Sequence, residues 1–547
     1  MPPLVGHDGA DDATLLEAAG REGADWVTDD LHTLGRLAGS GATGEQARLA
    51  NEYPPVLRSH DRWGNRIDEV EFHPAWHALM STAVSHGLHA APWADQRPGA
   101  HVARAAKFYV WAQAEAGHGC PISMTYAVVP TLRHAPALAG RIEPLLAARS
   151  YDPGLRPPET KNGLLAGMAM TEKQGGSDVR ANTTRAEPAP AAGPDAHILN
   201  GHKWFCSAPM CDLFLTLAYS PGGLTCFLLP RVLPGGDRNG LRIARLKDKL
   251  GNRSNASAEV EFDAALAWQV GEPGRGVATI IEMVSATRLD CALGSAAGMR
   301  LATVAAVHHA SHRQAFGKDL IAHPPMSSVL ADLALESQAA TVLALRLAGA
   351  ADRAGRGDAA EGGLLRVVLP AAKYWVCKRA PAHAAEALEC LGGNGYVEES
   401  GMPRIYREAP LNSIWEGSGN VTALDVLRAL ARTPDCADAL LAELDLAAGG
   451  DPRLDAAVAQ LRQLLAALET ATSLEAQHRA RRLAGQIAVT MQAALLVRHG
   501  SGAVADAFCG SRLGSTAAGG PGAPFGTLPD GLDEAAILVR ARVSVPG

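Results

Sequence analysis

The segment from Glu389 to Leu424, ECLGGNGYVEESGMPRIYREAPLNSIWEGSGNVTAL, packs a glycine turn, an arginine pair and one loop carboxylate, Glu416, into a single unit. Flanked by Ile414 and Trp415, that carboxylate is expected to be partly desolvated, and desolvation raises a carboxyl toward the range where it can take a proton from carbon. Gly392, Gly393 and Gly395 permit positive φ and a close approach of backbone to a bound molecule. The second run, Glu416-Gly417-Ser418-Gly419-Asn420, opens a helical pattern, where free backbone N–H groups suit a phosphate. Read alone, a Trp-Glu-Gly triplet describes a solvated loop glutamate more readily than a base.

A second chemistry-bearing stretch is Met170-Thr-Glu-Lys-Gln-Gly-Gly-Ser-Asp-Val179. Thr171, Ser177 and the Gly175–Gly176 backbone place several hydrogen-bonding groups within a few residues, a set that suits an isoalloxazine edge and its phosphates. Such a loop is by itself more often a plain turn. No metal centre is expected. His118 with Cys120 supplies two ligands only, and His308 with His312 reads as a pair on a helix surface with no third ligand.

The elements that must position these groups follow from periodicity. Asp12 to Ala19 starts from a helix cap, and helices are predicted from Pro74 to Ala90, with Trp76, Leu79, Met80 and Val84 on one face, and from Ala100 to Gly117. From about Leu164 the period shortens. His197-Ile-Leu, Asn200-Gly201 and Lys203-Trp-Phe-Cys-Ser read as a hairpin, because Asn-Gly suits a type I′ turn. Asp212 to Tyr219 and Leu224 to Leu229, joined at Gly222-Gly223, read as a second, and Ala258 to Phe262 as one more strand. Helical spacing returns at Val277 and continues through Met299, Val304 and Val307, then from Pro325 to Gly349 and Pro370 to Leu391, with a loop at 355–363. Beyond it, Thr472-Ser-Leu-Glu475 is a capping box before a helix that carries His478, Arg479, Arg481 and Arg482.

At 547 residues, 47% hydrophobic and 20% charged, the chain reads as an ordinary globular protein of several structural units. A net charge of −7 excludes a polycation that would coat nucleic acid through its mean field. Nine cysteines, an odd number with no C-x-x-C spacing, read as reduced thiols. The N-terminus MPPLVGHDGADD lacks a signal-peptide pattern and no apolar run is read as a membrane span, so a cytoplasmic, membrane-free protein is expected.

The order G-G-x-G-Y, R-x-x-R-[DE] and I-W-E-G in the first segment resembles the C-terminal signature of acyl-CoA dehydrogenases. The 170–178 loop is similar to the family's flavin loop, Lys203 to Ser207 to its K-x-W-I-T strand, and Arg313-Gln-Ala-Phe-Gly-Lys-Asp-Leu320 to its R-x-x-F-G-x-x-L. This resemblance implies a mainly α fold with a central β-barrel: an N-terminal helical domain at 1–163, the barrel at 164–271, a helical bundle at 272–435 and a C-terminal helical extension at 436–547. It implies FAD as cofactor and Glu416 as the base that removes the α-proton of an acyl-CoA while the flavin takes the β-hydride. It assigns cofactor contacts to Met170, Thr171, Gly175, Gly176, Ser177, Phe205, Ser207, Arg313, Phe316, Gly392, Gly393, Trp415, Gly417, Ser418 and Asn420. Arg313 would reach the flavin diphosphate of a neighbouring subunit, which implies a homotetramer. Glu389 departs from the pattern, standing where the family has glutamine.

The extension and the wording MTEKQGGSDVR, RLD and NSIWEGSGN resemble most the AidB subgroup of alkylation-response flavoproteins, which implies double-stranded DNA as a partner and weak dehydrogenase behaviour. Composition pulls the other way. From residue 441 onward nine arginines and no lysine face ten acidic residues, a net charge of −1. Duplex affinity would then rest on the local patch of Arg479, Arg481 and Arg482. A solvated helix face or intersubunit ion pairs are equally good readings of those residues.

Overall fold

The computed structural model describes residues 2–433, 435–513 and 522–545, so parts of the expected extension, 514–521 and 546–547, lie outside the described residues. By internal contacts the chain forms two units. One gathers Met1–Gly41, Arg97–Ala114 and Arg288–Gly547; the other gathers Ala42–Gln96 and Glu115–Thr287. The stretch expected as one N-terminal helical domain therefore contributes to both.

The first unit is helical. The Asp12 carboxylate accepts from the backbone of Thr14 and Leu15 and starts the helix Ala13–Ala19, as its position before an apolar run predicts. The helix Ala359–Cys390 lies against Pro324–Gly355, Gly419–Arg432 and Ser473–His499. The capping box forms as read, with Glu475 N–H donating to the Thr472 hydroxyl and Thr472 N–H to the Glu475 carboxylate. One sequence expectation needs correcting. Pro324–Gly355 is by length and composition able to cross a bilayer, which the reading of the apolar runs overlooked. Its stretch from Leu330 to Ala350 is buried within the protein on every face, the condition that makes a globular helix apolar all round.

The second unit is built on a seven-stranded sheet. A separate hairpin, β1 (Val56–His60) and β2 (Arg66–Glu71), precedes it. The sheet comprises β3 (Ala166–Ala169), β4 (Arg185–Pro188), β5 (Ala196–Ser207), β6 (Leu213–Ser220), β7 (Gly223–Pro230), β8 (Leu241–Leu246) and β9 (Ser257–Val270). Strand order is β3-β6-β4-β5-β9-β7, β8 pairs with β9, and pairing of β7 back to β6 closes the barrel. The turn between β6 and β7 falls at Pro221-Gly222, one residue before the expected Gly222-Gly223, with Gly223 already paired to Ser220 as the first residue of β7.

Three local readings fail for identifiable reasons. Asn200-Gly201 is no hairpin turn: β5 runs straight through it and pairs along its length with β9, with a register shift between Leu199 and Gly201. Gly201 serves a bulge, where an added Cβ would stand 2.7 Å from the Thr184 Cα. The helix predicted to Ala90 ends at Ser85, because Gly87 takes φ +74° and the Leu88 N–H bonds back to the Ala83 carbonyl. The helix predicted to Gly117 ends at Ala112. The Glu115 carboxylate accepts from the N–H groups of Gly117 and His118, diverting them from helical bonding. His118 Nδ1 also lies 2.8 Å from Glu115, so this histidine is committed to a carboxylate.

Candidate active site

Glu416 stands on a turn that the chain cannot hold by local preference. Its φ of +56° is left-handed, as is the +101° of Gly417, and a non-glycine residue persists there only when its surroundings enforce it. The enforcement comes from two buried cations. Lys373 Nζ donates to the Trp415 carbonyl at 2.8 Å and to the Gly417 carbonyl, while Arg288 Nε donates to the carbonyl of Glu416 itself at 2.9 Å. Three consecutive backbone oxygens are thus fixed by side chains from two helices.

Arg288 is anchored in turn. Its guanidinium reaches the Asp425 carboxylate at 2.5 Å, and Asp425 also accepts from Arg366 and Arg428. Burial pushes the Asp425 carboxyl up, but Arg288 and Arg366 outweigh it and hold it below its ordinary value. Trp415 is oriented by its indole N–H, which donates to Asn412, and Asn412 donates to Ser295. Ser418 is exposed and caps Gly419–Arg432 without a side-chain bond. Asn420 accepts from Arg481, whose Nε also donates to the Tyr374 hydroxyl. That arginine, expected to face a nucleic acid, is engaged with the helix that follows Glu416.

The remaining expected residues of the helical unit lie on separate turns. Gly392 takes φ +58°, and neither it nor Gly393 has an atom within 4 Å of where a Cβ would be, so both present open backbone. Glu389 is exposed, and its carbonyl accepts from the Gly392 N–H. Arg313 and Phe316 occupy a hairpin of Gln314–Ala315 and Lys318–Asp319. Phe316 is 96% exposed with φ +51°, and among the described residues the Arg313 guanidinium has no hydrogen-bond or ion-pair partner.

The barrel unit holds the other set. The loop from Met170 is tied to β5 by the Trp204 N–H, which donates to the Thr171 carbonyl at 2.7 Å. Behind it lies a fully buried ion pair that sequence reading missed: Lys203 Nζ donates to Glu172 at 2.9 Å and to the Leu217 carbonyl at 2.8 Å. Glu172 also accepts from the backbone and hydroxyl of both Thr183 and Thr184. Burial pushes its carboxyl up, yet Lys203 and these hydrogen bonds hold it down at about 2; burial lowers the Lys203 ammonium to about 8. Both groups are charged at neutral pH.

In front of this pair the loop offers donors. Gly176 folds back on Thr171, so closely that a Cβ would stand 2.5 Å from its hydroxyl, and Gly175 takes φ +113° with open space beside it. Among the described residues the hydroxyls of Thr171 and Ser177 make no hydrogen bond. Phe205 leaves 50% of its surface exposed on β5, with Ser207 two residues on. Lys247 Nζ lies 4.7 Å from the Phe205 ring centroid, and the half-exposed ring, the unengaged hydroxyls and the open glycine backbone fit a flavin ring.

Among the described residues no group of His, Cys, Asp and Glu could hold a metal. His308 bonds to the Pro2 carbonyl and His312 to the His308 carbonyl, as a helix-surface pair would.

A closed barrel with long helices, a carboxylate on an enforced turn and a flavin-compatible loop define the acyl-CoA dehydrogenase type of flavoprotein. Comparison with known families agrees. Residues 1–153 match the adaptive response protein AidB N-terminal domain, 167–265 the acyl-CoA dehydrogenase middle domain and 274–431 the acyl-CoA dehydrogenase C-terminal domain. The chain is 47% identical to AidB of Escherichia coli strain K12, over 91% of this chain and 90% of that protein. It is 32% identical to acyl-CoA dehydrogenase family member 11 of Caenorhabditis elegans, over 87% and 79%. The crystal structure of C. elegans ACDH-11 in complex with C11-CoA superposes with a TM-score of 0.84 at 29% identity, covering 93% of this chain and 90% of that one. An FAD complex of a Bacillus anthracis acyl-CoA dehydrogenase shares the fold at a TM-score of 0.65, with 20% identity over 80% of each chain. The chain belongs to the acyl-CoA dehydrogenase family, in its AidB branch.

Lys373, Arg288, Asp425, Glu172 and Lys203 were missed by sequence reading. A lone lysine in the apolar run Val367 to Cys377 was the one signal available for Lys373.

Proposed function

We propose that the protein is an FAD-dependent acyl-CoA dehydrogenase in which Glu416 removes the α-proton of an acyl-CoA thioester. FAD, when bound, supplies the acceptor for the β-hydride, so that a saturated thioester leaves as the 2,3-enoyl thioester with one proton on Glu416. Thr171, Ser177 and the Gly175–Gly176 backbone hold the flavin edge from the barrel, and Phe205 covers it. Met170, Ser207, Trp415, Gly417, Ser418, Asn420 and the Gly392–Gly393 turn supply the remaining contacts. The observation that carries the reading is the backbone of Glu416, held left-handed with three successive carbonyls fixed by Lys373 and Arg288. An enforced backbone fixes where the side chain starts, which positions a base for proton transfer. Likeness to a relative crystallised with C11-CoA supports an acyl-CoA as substrate.

The test is anaerobic bleaching of the bound flavin by C11-CoA and by shorter and longer acyl-CoA esters. Glu416→Gln is expected to abolish bleaching while leaving FAD content unchanged. Bleaching that survives the substitution removes Glu416 as the base.

The exposed Phe316 and an Arg313 guanidinium without a partner among the described residues support assembly into a homotetramer, in which each hairpin reaches the cofactor of a neighbouring copy. A second reading, binding of duplex DNA during alkylation stress, is favoured by Arg482, exposed on Ser473–His499 and without a partner among the described residues. Arg479 on the same helix donates to the Ala467 carbonyl. Arg482→Ala should lower duplex affinity and reduce the slope of log K on log salt by about one per site. A duplex affinity that ignores both salt and this substitution ends the second reading.

A further inference from the structure

Lys373 is 1% exposed in the middle of the apolar run Val367 to Cys377, and among the described residues no carboxylate pairs with it. A buried ammonium without a counter-ion must be solvated by dipoles. The dipoles it has found are the carbonyls on either side of Glu416, those of Trp415 and Gly417. In extended backbone two such oxygens lie about 6.7 Å apart, too far for one ammonium to bond both. They converge here because Glu416 and Gly417 are left-handed. The cation and the turn therefore require each other.

We propose that Lys373 is the positioning residue of the Glu416 base, holding it at the apex of a two-carbonyl cradle. This inference rests on Glu416 acting as the base for its catalytic consequence, but its geometric half stands without substrate. Arg288 completes the hold through the Glu416 carbonyl but divides its bonds between the turn and Asp425, whereas among the described residues both bonds of the Lys373 ammonium go to the turn.

Four variants decide it, each as FAD-loaded full chain. In the crystal structure of Lys373→Met, Glu416 is expected to leave the left-handed region. In rapid-mixing reduction by C11-CoA, the same variant is expected to lose on the order of tenfold to a hundredfold in the limiting rate. The Kd for C11-CoA should stay within about threefold, because a positioning residue does not touch substrate. Lys373→Arg should recover most of the rate, since a guanidinium can also donate to two acceptors. If methionine prevents folding, Lys373→Gln keeps two N–H donors on a shorter, uncharged side chain and is expected to fold with the turn displaced and the rate reduced. A methionine or glutamine variant whose turn is unmoved and whose rate is unchanged overturns the proposal. So does a loss in which rate, affinity for C11-CoA and FAD content fall together and arginine restores nothing. Glu416→Gln run alongside separates the two failures: if it still reduces, the assignment of the base is wrong, and the crystal structure alone then judges Lys373.

Discussion

Lys203→Met removes the ammonium that neutralises Glu172 behind the loop carrying Thr171 and Ser177. Lys203 and the Glu172 carboxylate close at 2.9 Å, both fully buried. The intact pair is close to neutral for stability. Burial opposes both charges, and their mutual attraction with the Thr183 and Thr184 hydrogen bonds offsets it. Breaking it is different, because a carboxylate stripped of its counter-charge stays buried, at a cost of about 3–5 kcal/mol. For a unit of roughly 230 residues that corresponds to roughly 6–20 °C in the melting of the barrel. Calorimetry of Lys203→Met, Glu172→Gln and the double variant checks the coupling, and a flavin-fluorescence titration checks that FAD affinity falls with the loop. The double variant is expected to cost at least about 2 kcal/mol less than the two singles together. The pH dependence has a definite sign. Glu172 contributes stability that is present above its unfolded value of 4.5 and is lost as pH falls toward 2, whereas the Lys203 penalty is present at low pH and relieved as pH rises through 8. Glu172→Gln leaves a lone buried ammonium whose folded value falls further below 8, so its stability should rise with pH from below 8 up to the unfolded 10.5. Effects of the two singles that add within about 0.5 kcal/mol would refute the reasoning.

Gly201→Ala would drive a Cβ to 2.7 Å from the Thr184 Cα and pull Thr184 off Glu172; a loss of about 1–3 kcal/mol in barrel stability with weaker FAD binding is expected, by melting and titration. Asp425→Asn deprives Arg288 of its buried partner, so limiting reduction by C11-CoA should slow roughly tenfold and the helical unit lose about 3–5 kcal/mol, measured by rapid mixing and calorimetry. Because the Asp425 carboxyl is held below its ordinary 3.8, that contribution should be constant above about pH 4 and disappear as pH falls further. Phe316→Asp should shift the protein to smaller assemblies in sedimentation without changing the melting of the barrel; an unchanged sedimentation coefficient removes the hairpin from the interface.

What could be read from the sequence was whatever local chemistry dictates. The Asp12 cap and the Thr472–Glu475 box depend on neighbours in the chain and form as read, and the glycine turn between β6 and β7 forms one residue early, at Pro221-Gly222. Asn200-Gly201 shows the limit, since its turn preference is overridden by pairing of β5 with β9, a strand more than fifty residues further on. Glu416 could be picked out by its motif, but its conformation could not, because Arg288 acts across 128 residues and Lys373 looks from the sequence like a misplaced charge in a core helix. Arg481 was read by charge as a surface group, while its bonds to Tyr374 and Asn420 depend on two other helices.

The two lysines behind the two loops make a contrast that follows from what each leaves behind. Lys203 is paired with a carboxylate, so its removal strands a buried charge and is expected to appear first as lost stability. Lys373 bonds only to carbonyls, so its removal strands two neutral acceptors, each worth about 1–3 kcal/mol at most if it stays unpaired and less if the turn relaxes to reach water. Relaxation of the turn is what proton abstraction cannot tolerate. Lys373→Met should therefore fold better than Lys203→Met and work worse, and melting curves beside reduction rates for the two proteins would expose an inverted order, which the charge argument does not allow.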